Sequence, residues 1–543
     1  MTTTKKYQAD IIIIGGGVAG MITALELLEA GKKVLLLDRD EEKRFGGLAR
    51  ESFGGIFVVN SPLQKKMGIR DSTDLALRDW KTAANFGEGP DWVYPRQWAE
   101  TYIHRSLEDI YLWLTQKLSI KFFPVVHWAE RGLFEPANSV PRFHMLWGLG
   151  YSLTEVLKSR LNQFKGKSLE VYFRHNVKSL IESEGQVTTC TGVDELDGSE
   201  FKAIAGEALV IATGGINGDL DRVRKLWDRD EFGTPPETIL NGSHRYANGS
   251  MHDQVSLLKG KLSHMKNMWN YPSGVRHPNP DKDLHGVTIV PPKSALWMNW
   301  QGRRMGPPPL VGNFDTRYIV EEICRQEKKY SWQILNFKIA KKELAVQNAD
   351  FNPAIRDKKL FGFLKTVLLG NASLVREFID TCPDFVVANS ITELAEKMNQ
   401  LQGDESINAE LMERDIRQYD ENIGRGQTFH NDPQLRLITH ARNYRGDRLR
   451  TCKFQKILDP SAGPLIAIRM SILSRKSLGG IQTDLSSRVM SEKGQPIRGL
   501  YSVGESAGFG GGGIHGQGAL EGTFIGSCIL TARAASRSIL NKK

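Results

Sequence analysis

Three glycines at the spacing Gly15-x-Gly17-x-x-Gly20 follow the β-branched run Ala9-Asp-Ile-Ile-Ile-Ile14 and precede a helical pattern marked by Ile22, Leu25 and Leu28. Glycines so spaced do anion chemistry with the backbone. The first permits a tight turn, the second lets the main chain approach a pyrophosphate, and the third lets helix and strand pack closely. The helix N-terminus adds free N–H groups and partial positive charge. Gly31 stops the helix, Lys32-Lys-Val-Leu-Leu-Leu37 reads as the next buried strand, and Asp38 ends it. Asp38 is placed to accept from a ribose hydroxyl, and its charge disfavours a 2′-phosphate there. Alone the glycine motif is weak; inside a strand–helix–strand unit it predicts a dinucleotide site.

A second pair of glycine doublets, Gly46-Gly47 and Gly54-Gly55, follows at once. It suits a flavin dinucleotide, which extends past its pyrophosphate, and so favours FAD over NAD. Ala208-Leu-Val-Ile-Ala212 reads as a strand ending in Thr213-Gly214-Gly215, and Gly499-Leu-Tyr-Ser-Val-Gly-Glu505 ends another with a carboxylate suited to a ribitol hydroxyl. Gly510 to Gly513 and Gly516 then lead into an expected helix from about 518 to 537, its N-terminus toward the flavin N1/C2 carbonyl. Strands of one sheet therefore come from both chain ends. The fold class is α/β: a Rossmann-like FAD-binding domain from 1–240 and 455–543, with an inserted α+β domain at 241–454. The insert carries Pro-rich turns (Pro291-Pro292, Pro307 to Pro309), amphipathic helices expected around 318–345, 371–381 and 391–401, and a surface loop at Gly403 to Ser406.

Composition narrows the class further. A chain of 543 residues with 40% apolar and 25% charged residues is neither disordered nor low-complexity. The net charge of +10 is spread over isolated pairs such as Lys65-Lys66, with no basic tract or aromatic RNA-binding motif, so nucleic acid is not an expected partner. Five isolated cysteines argue against a disulfide framework or a metal cluster and fit a reducing, cytoplasmic setting. Ile11 to Ile14 is too short for a signal core, and no run of eighteen apolar residues exists to span a membrane. HExxH, EF-hand and P-loop motifs, and a GxSxG with a plausible triad, are missing, which removes metal, kinase and hydrolase readings.

The chain resembles the fumarate reductase/succinate dehydrogenase flavoprotein superfamily, on its 3-ketosteroid Δ1-dehydrogenase branch. The resemblance rests on Asp91 to Glu100, Asn138 to His144, Gly249 to Asp253, Arg475 to Asp484 and, most specifically, Gly499 to Gly526. It implies FAD under a capping domain that closes over the isoalloxazine. It implies cofactor contacts at Gly15, Gly17, Gly20, Asp38, Gly46, Gly47, Gly54, Gly55, Val177, Thr213, Gly214, Glu505 and Ala519, with Gly518 and Leu520 beside it. The departures matter too. Leu48 to Ser52 lacks the histidine that bonds flavin in succinate dehydrogenase-like members, so the FAD is expected to be non-covalent. Gly513-Ile-His-Gly-Gln-Gly-Ala519 lacks both the carboxylate-gripping Arg of fumarate reductases and the enolising Tyr of ketosteroid dehydrogenases.

Candidate acids and bases are His515, at the expected helix mouth, and Arg317 and Tyr318, in a stretch resembling the proton-donor segment of fumarate reductases. His144, near Arg142, is a further candidate. For each, a packed or ion-paired structural role competes. Trp269, Trp297 and Trp300 suggest an apolar wall. The expected activity is dehydrogenation of a carbon–carbon bond next to a carbonyl in an apolar or cyclic small molecule, with an electron acceptor the residues do not identify. The alternatives are an enoate- or fumarate-type reductase and a non-catalytic flavin-binding protein.

Overall fold

The computed structural model describes residues 4–541 except 126. Ile11 to Ile14 place branched side chains on both faces of a strand, and all four are buried, as a strand covered on both sides requires. This strand, β1 (Lys5–Ile14), runs into helix α1 (Val18–Glu29) and then β2 (Val34–Leu37). β1 lies parallel between β2 and the strand Glu200–Ile211, with Ile11 opposite both Val34 and Ala208. Leu169–Tyr172 extends the sheet beyond β2, and Pro496–Ser502 extends the other side, Leu500 opposite Leu209. Both chain ends thus share one parallel core. Helix α1 packs against the C-terminal helix Thr523–Leu540 on one face of it.

The second sheet is mostly antiparallel, and its central strand is Leu465–Ser477, flanked by Tyr330–Asn336 and Met268–Arg276. Ile239–Asn241 pairs with the same strand in parallel. The layer expected to end at 454 therefore reaches residue 477, and its first strand begins at 239. The apolar run Leu465-Ile-Ala-Ile reads as a buried strand in either sheet; only its partners assign it. Two helix expectations also change. The span 318–345 is a helix (Thr316–Cys324), a strand (Tyr330–Asn336) and a second helix (Phe337–Glu343), whereas Ala372–Thr381 and Ile391–Gln402 are helices near the expected bounds. The C-terminal helix begins only at Thr523, after Gly522, because the glycines from 508 to 516 hold the chain in turns.

Hydrogen bonds tie the end of Leu465–Ser477 to the segments that follow the strands of the first sheet. Ser477 donates its N–H to Glu505 Oε1 (2.9 Å) and its hydroxyl to Asn217 Oδ1 (2.8 Å), while Asn217 Nδ2 donates to Ser474 Oγ (2.9 Å). The two layers meet there, and that seam positions the site. Among the described residues no helix is long and apolar enough to cross a membrane.

Candidate active site

A cavity of about 1910 Å³, mouth included, is lined from both layers. One end is built by the β1–α1 turn. Met21 N–H is the first in α1 to close onto a carbonyl, Gly17 O at 2.9 Å, so the N–H groups of Val18, Ala19 and Gly20 have no partner within the helix. Gly17 and its neighbours line the cavity, and a Cβ built on Gly17 meets no protein atom within 4 Å. Its φ of −70° suits any residue. The protein's own packing therefore does not require glycine at 17; a ligand pressed against that backbone does. Gly20 differs: its Cβ would lie 2.1 Å from Gly15 O, so its role is close helix–strand packing, and it does not line the cavity. This cradle fits the pyrophosphate of a dinucleotide.

Asp38 faces the same space. Its Oδ2 accepts from Gly16 N–H (2.6 Å) and its Oδ1 from Asp40 N–H (2.7 Å), while burial raises its pKa. Gly46, Gly47, Gly54, Gly55, Val177, Thr213, Gly214 and Glu505 line the cavity with it. Burial also raises the pKa of Glu505, against the Ser477 N–H bond that favours its anion. These are the donors and acceptors that FAD's phosphates, ribose and ribitol require.

A second polar cluster of the wall centres on Glu521. Trp269 and Lys476 face each other across the pairing of their strands. Trp269 Nε1 donates to Glu521 Oε1 at 3.0 Å, and Tyr271 donates its hydroxyl to the same oxygen at 2.5 Å. Lys476 Nζ donates to Tyr271 Oη at 3.1 Å and sits 3.6 Å from the centre of the Phe524 ring. Burial brings the Lys476 ammonium down to about 8, opposed by the Glu521 charge, and raises the Tyr271 phenol well above its usual range. Glu521 Oε2 has no donor among the described residues. Across the wall, His127 Nδ1 meets Asp447 (2.7 Å) and Nε2 meets Asn313 Oδ1 (3.0 Å). Asn313 Nδ2 is left buried without a partner. Such an orphaned donor is costly unless something from outside the chain accepts from it. Next to Ala129 of the wall, burial pushes the Glu130 carboxyl up to about 8, although Thr316 hydrogen-bonds to it.

None of the four residues expected to be catalytic lines this cavity. His515 is fully buried, stacked on Trp80 with centroids 5.8 Å apart and bonded through Nε2 to Thr523 Oγ1 at 2.8 Å; burial pushes it down to about 3. It packs beneath Phe524 and so supports the ring that carries Lys476. Arg317 pairs with Glu231 in a separate small pocket, and Tyr318 packs edge-on against Phe134. Asp315 caps the helix there by accepting from Tyr318 N–H (3.1 Å); Asn313, just before the cap, is the residue of that stretch that reaches the cavity. His144 is fully paired, with Arg142 O and Ser61 Oγ both at 2.7 Å, and burial pushes it down to about 4. Arg142 is locked onto Asp71 and Asp79. Gly518, Ala519 and Leu520 lie outside the wall as well. A Cβ on Gly518 would meet Ala83 O, Ala519 and Leu520 are core, and the wall is taken up by Glu521, Gly522, Phe524 and Ile525. Trp269 contributes its N–H to Glu521, whereas Trp297 bonds Ser331 and Trp300 lies under Lys328, both away from the cavity. Tyr271, Lys476, Glu521, His127 and Asn313 carried no motif signal; Lys476 and Glu521 fall inside the segments of resemblance without being marked by them.

Comparison with known proteins agrees with this architecture. The family described as FAD binding domain matches residues 10–525. A KsdD-like steroid dehydrogenase of Mycobacterium tuberculosis is 39% identical over 549 residues, covering 97% of this chain and 95% of its own. A KsdD-like steroid dehydrogenase of Mycolicibacterium smegmatis is 38% identical over 539 residues, covering 95% of this chain and 96% of its own. Among solved structures, the 3-ketosteroid Δ1-dehydrogenase of Sterolibacterium denitrificans superposes with a TM-score of 0.71 at 14% identity, covering 99% of this chain and 100% of that one. The cradle, the two-layer fold and these relatives lead to one conclusion: the chain belongs to the FAD binding domain family and is an FAD-dependent oxidoreductase.

Proposed function

We propose that this protein dehydrogenates a carbon–carbon bond next to a ketone in a steroid-like ring system. The observation that carries the reading is that two residues lining the cavity each keep an unpaired polar atom, Glu521 Oε2 without a donor and the buried Asn313 Nδ2 without an acceptor. Asn313 donates to the substrate carbonyl, which acidifies the adjacent C–H, and Glu521 takes that proton. Bound FAD supplies the two-electron acceptor for the hydride leaving the next carbon. Trp269 and Tyr271 hold Glu521 by its other oxygen, and Lys476 offsets its charge. Phe143, Ala129, Val290 and Phe524 give the space an apolar lining suited to fused rings. The KsdD-like relatives support the same substrate class.

FAD would be held without a covalent bond, by the α1 N-terminus with Gly15, Gly17 and the adjoining Gly46 and Gly47 for the pyrophosphate, by Asp38 for the ribose, and by Glu505, Thr213, Gly214, Gly54 and Gly55 for the rest of the molecule. Acid precipitation should release all of it. The test of the activity is anaerobic mixing of the purified yellow protein with a 3-ketosteroid. Wild type should bleach, and Glu521→Gln should bleach roughly 10²- to 10⁴-fold more slowly at unchanged flavin content. Bleaching of that variant at the wild-type rate removes Glu521 from the mechanism. Failure of every ketone to bleach wild type, together with reoxidation of photoreduced enzyme by an unsaturated acid, reverses the direction assigned.

A further inference from the structure

We propose that the helix Leu360–Leu369, with the neighbouring helix Arg445–Arg450, docks this protein onto the surface of an anionic lipid bilayer. A helix on a globular protein ordinarily turns its apolar stripe inward. This one does the reverse. Leu360, Phe361, Leu364, Leu368 and Leu369 are 54%, 87%, 43%, 77% and 61% exposed, and no residue of the helix is fully buried. At about 100° per residue, the first four fall within roughly one 100° arc. The orientation is held from below by Phe363, whose ring meets Phe123 at 4.9 Å and Trp147 at 6.1 Å.

The surroundings say what covers this face. Lys358, Lys359 and Lys365 are exposed on or beside the helix. Arg445–Arg450 packs against it and adds exposed Arg445 and Arg448 and a 51% exposed Leu449. Its carboxylate, Asp447, is turned inward onto Arg131 and His127. Asp357, just before the first helix, is engaged by Arg356 and Lys359. Neither helix therefore carries an exposed acid. A second copy of the chain seated on this patch about a two-fold axis would set like charges face to face. An apolar ridge rimmed by cations matches a bilayer interface with anionic headgroups, where the side chains enter the acyl boundary and the cations meet phosphates. Ten helical residues are too few to span a bilayer, so the mode is surface docking. The proposal does not rest on the catalytic reading, although a surface-docked enzyme would sit beside a reservoir of apolar ketones.

The test is co-sedimentation of the flavin-loaded protein with phosphatidylcholine vesicles and with mixed phosphatidylcholine–phosphatidylglycerol vesicles, at low and high salt. Wild type should bind the mixed vesicles, and more weakly as salt rises. The double variant Phe361→Ser, Leu368→Ser should lose roughly tenfold or more in partitioning for each residue, and Lys365→Gln and Arg448→Gln about fivefold each. Flavin absorbance should be unchanged in all of them, since none of these residues lines the cavity. Absence of vesicle binding by wild type, or equal binding by the double variant, overturns the proposal. So does a wild-type dimer in analytical ultracentrifugation that the double variant dissolves, since the face would then be a protein interface.

Discussion

Gly17→Ala separates a glycine required by a ligand from one required by the fold. At 17 the backbone is extended, with φ −70° and ψ 174°, and a Cβ meets nothing within 4 Å. In FAD-free protein the substitution should be neutral or stabilising by about 0.4–1 kcal/mol, because alanine has less freedom to lose on folding. The methyl nevertheless projects beside the unpartnered N–H groups that open α1. With FAD bound it is an overpacked contact worth about 1–3 kcal/mol, which weakens the dinucleotide roughly 5- to 150-fold. Gly20→Ala is the contrast. Its Cβ would lie 2.1 Å from Gly15 O, so α1 must move off β1 and the FAD-free protein itself should be less stable. The assay is a urea transition on deflavinated protein, paired with titration of that protein by FAD using the quenching of flavin fluorescence. Wild-type FAD affinity in Gly17→Ala refutes the assignment of this turn to the pyrophosphate. A urea midpoint lowered as far as that of Gly20→Ala refutes the claim that the fold leaves position 17 open.

Two further outcomes follow from buried groups. Burial pushes Glu130 from 4.5 up to about 8, so between those values the folded state binds more protons than the unfolded one, and stability is present at low pH and lost as pH rises through about 8. That displacement corresponds to on the order of 5 kcal/mol at most; Glu130→Gln should flatten this part of the pH–stability curve in urea unfolding, and an unchanged curve removes the group from the account. Arg142→Ala strands Asp71 and Asp79 in the interior and should cost about 3–5 kcal/mol of stability. Flavin reduction per folded molecule should be unchanged in that variant; a selective loss of the reduction rate would place Arg142 at the site.

What the sequence determined by itself is the part written in local chemistry. Gly15, Gly17, Gly20 and Asp38 announce a dinucleotide turn because backbone conformation and anion binding at a helix start depend on residues close together in the chain. The buried run Ile11 to Ile14 and the carboxylate of Glu505 at a late strand end carry the sheet in the same way. The residues proposed for catalysis are not legible in the sequence. A helix beginning near 518 places His515 at its mouth, toward the flavin; in the folded chain that helix begins at Thr523, and the ring turns into the core against Trp80. Arg317 and Tyr318 lie inside the helix that Asp315 caps and do not reach the cavity, whereas Asn313, before the cap, lines it. Tyr271, Lys476 and Glu521 come from two strands and a turn, with some 200 residues separating the first from the other two. Their meeting depends on the pairing of Trp269 with Lys476 and on which sheet claims 465–477. Strand partners and side-chain facing are set by the burial of many distant residues at once, and so only the tertiary structure could decide them.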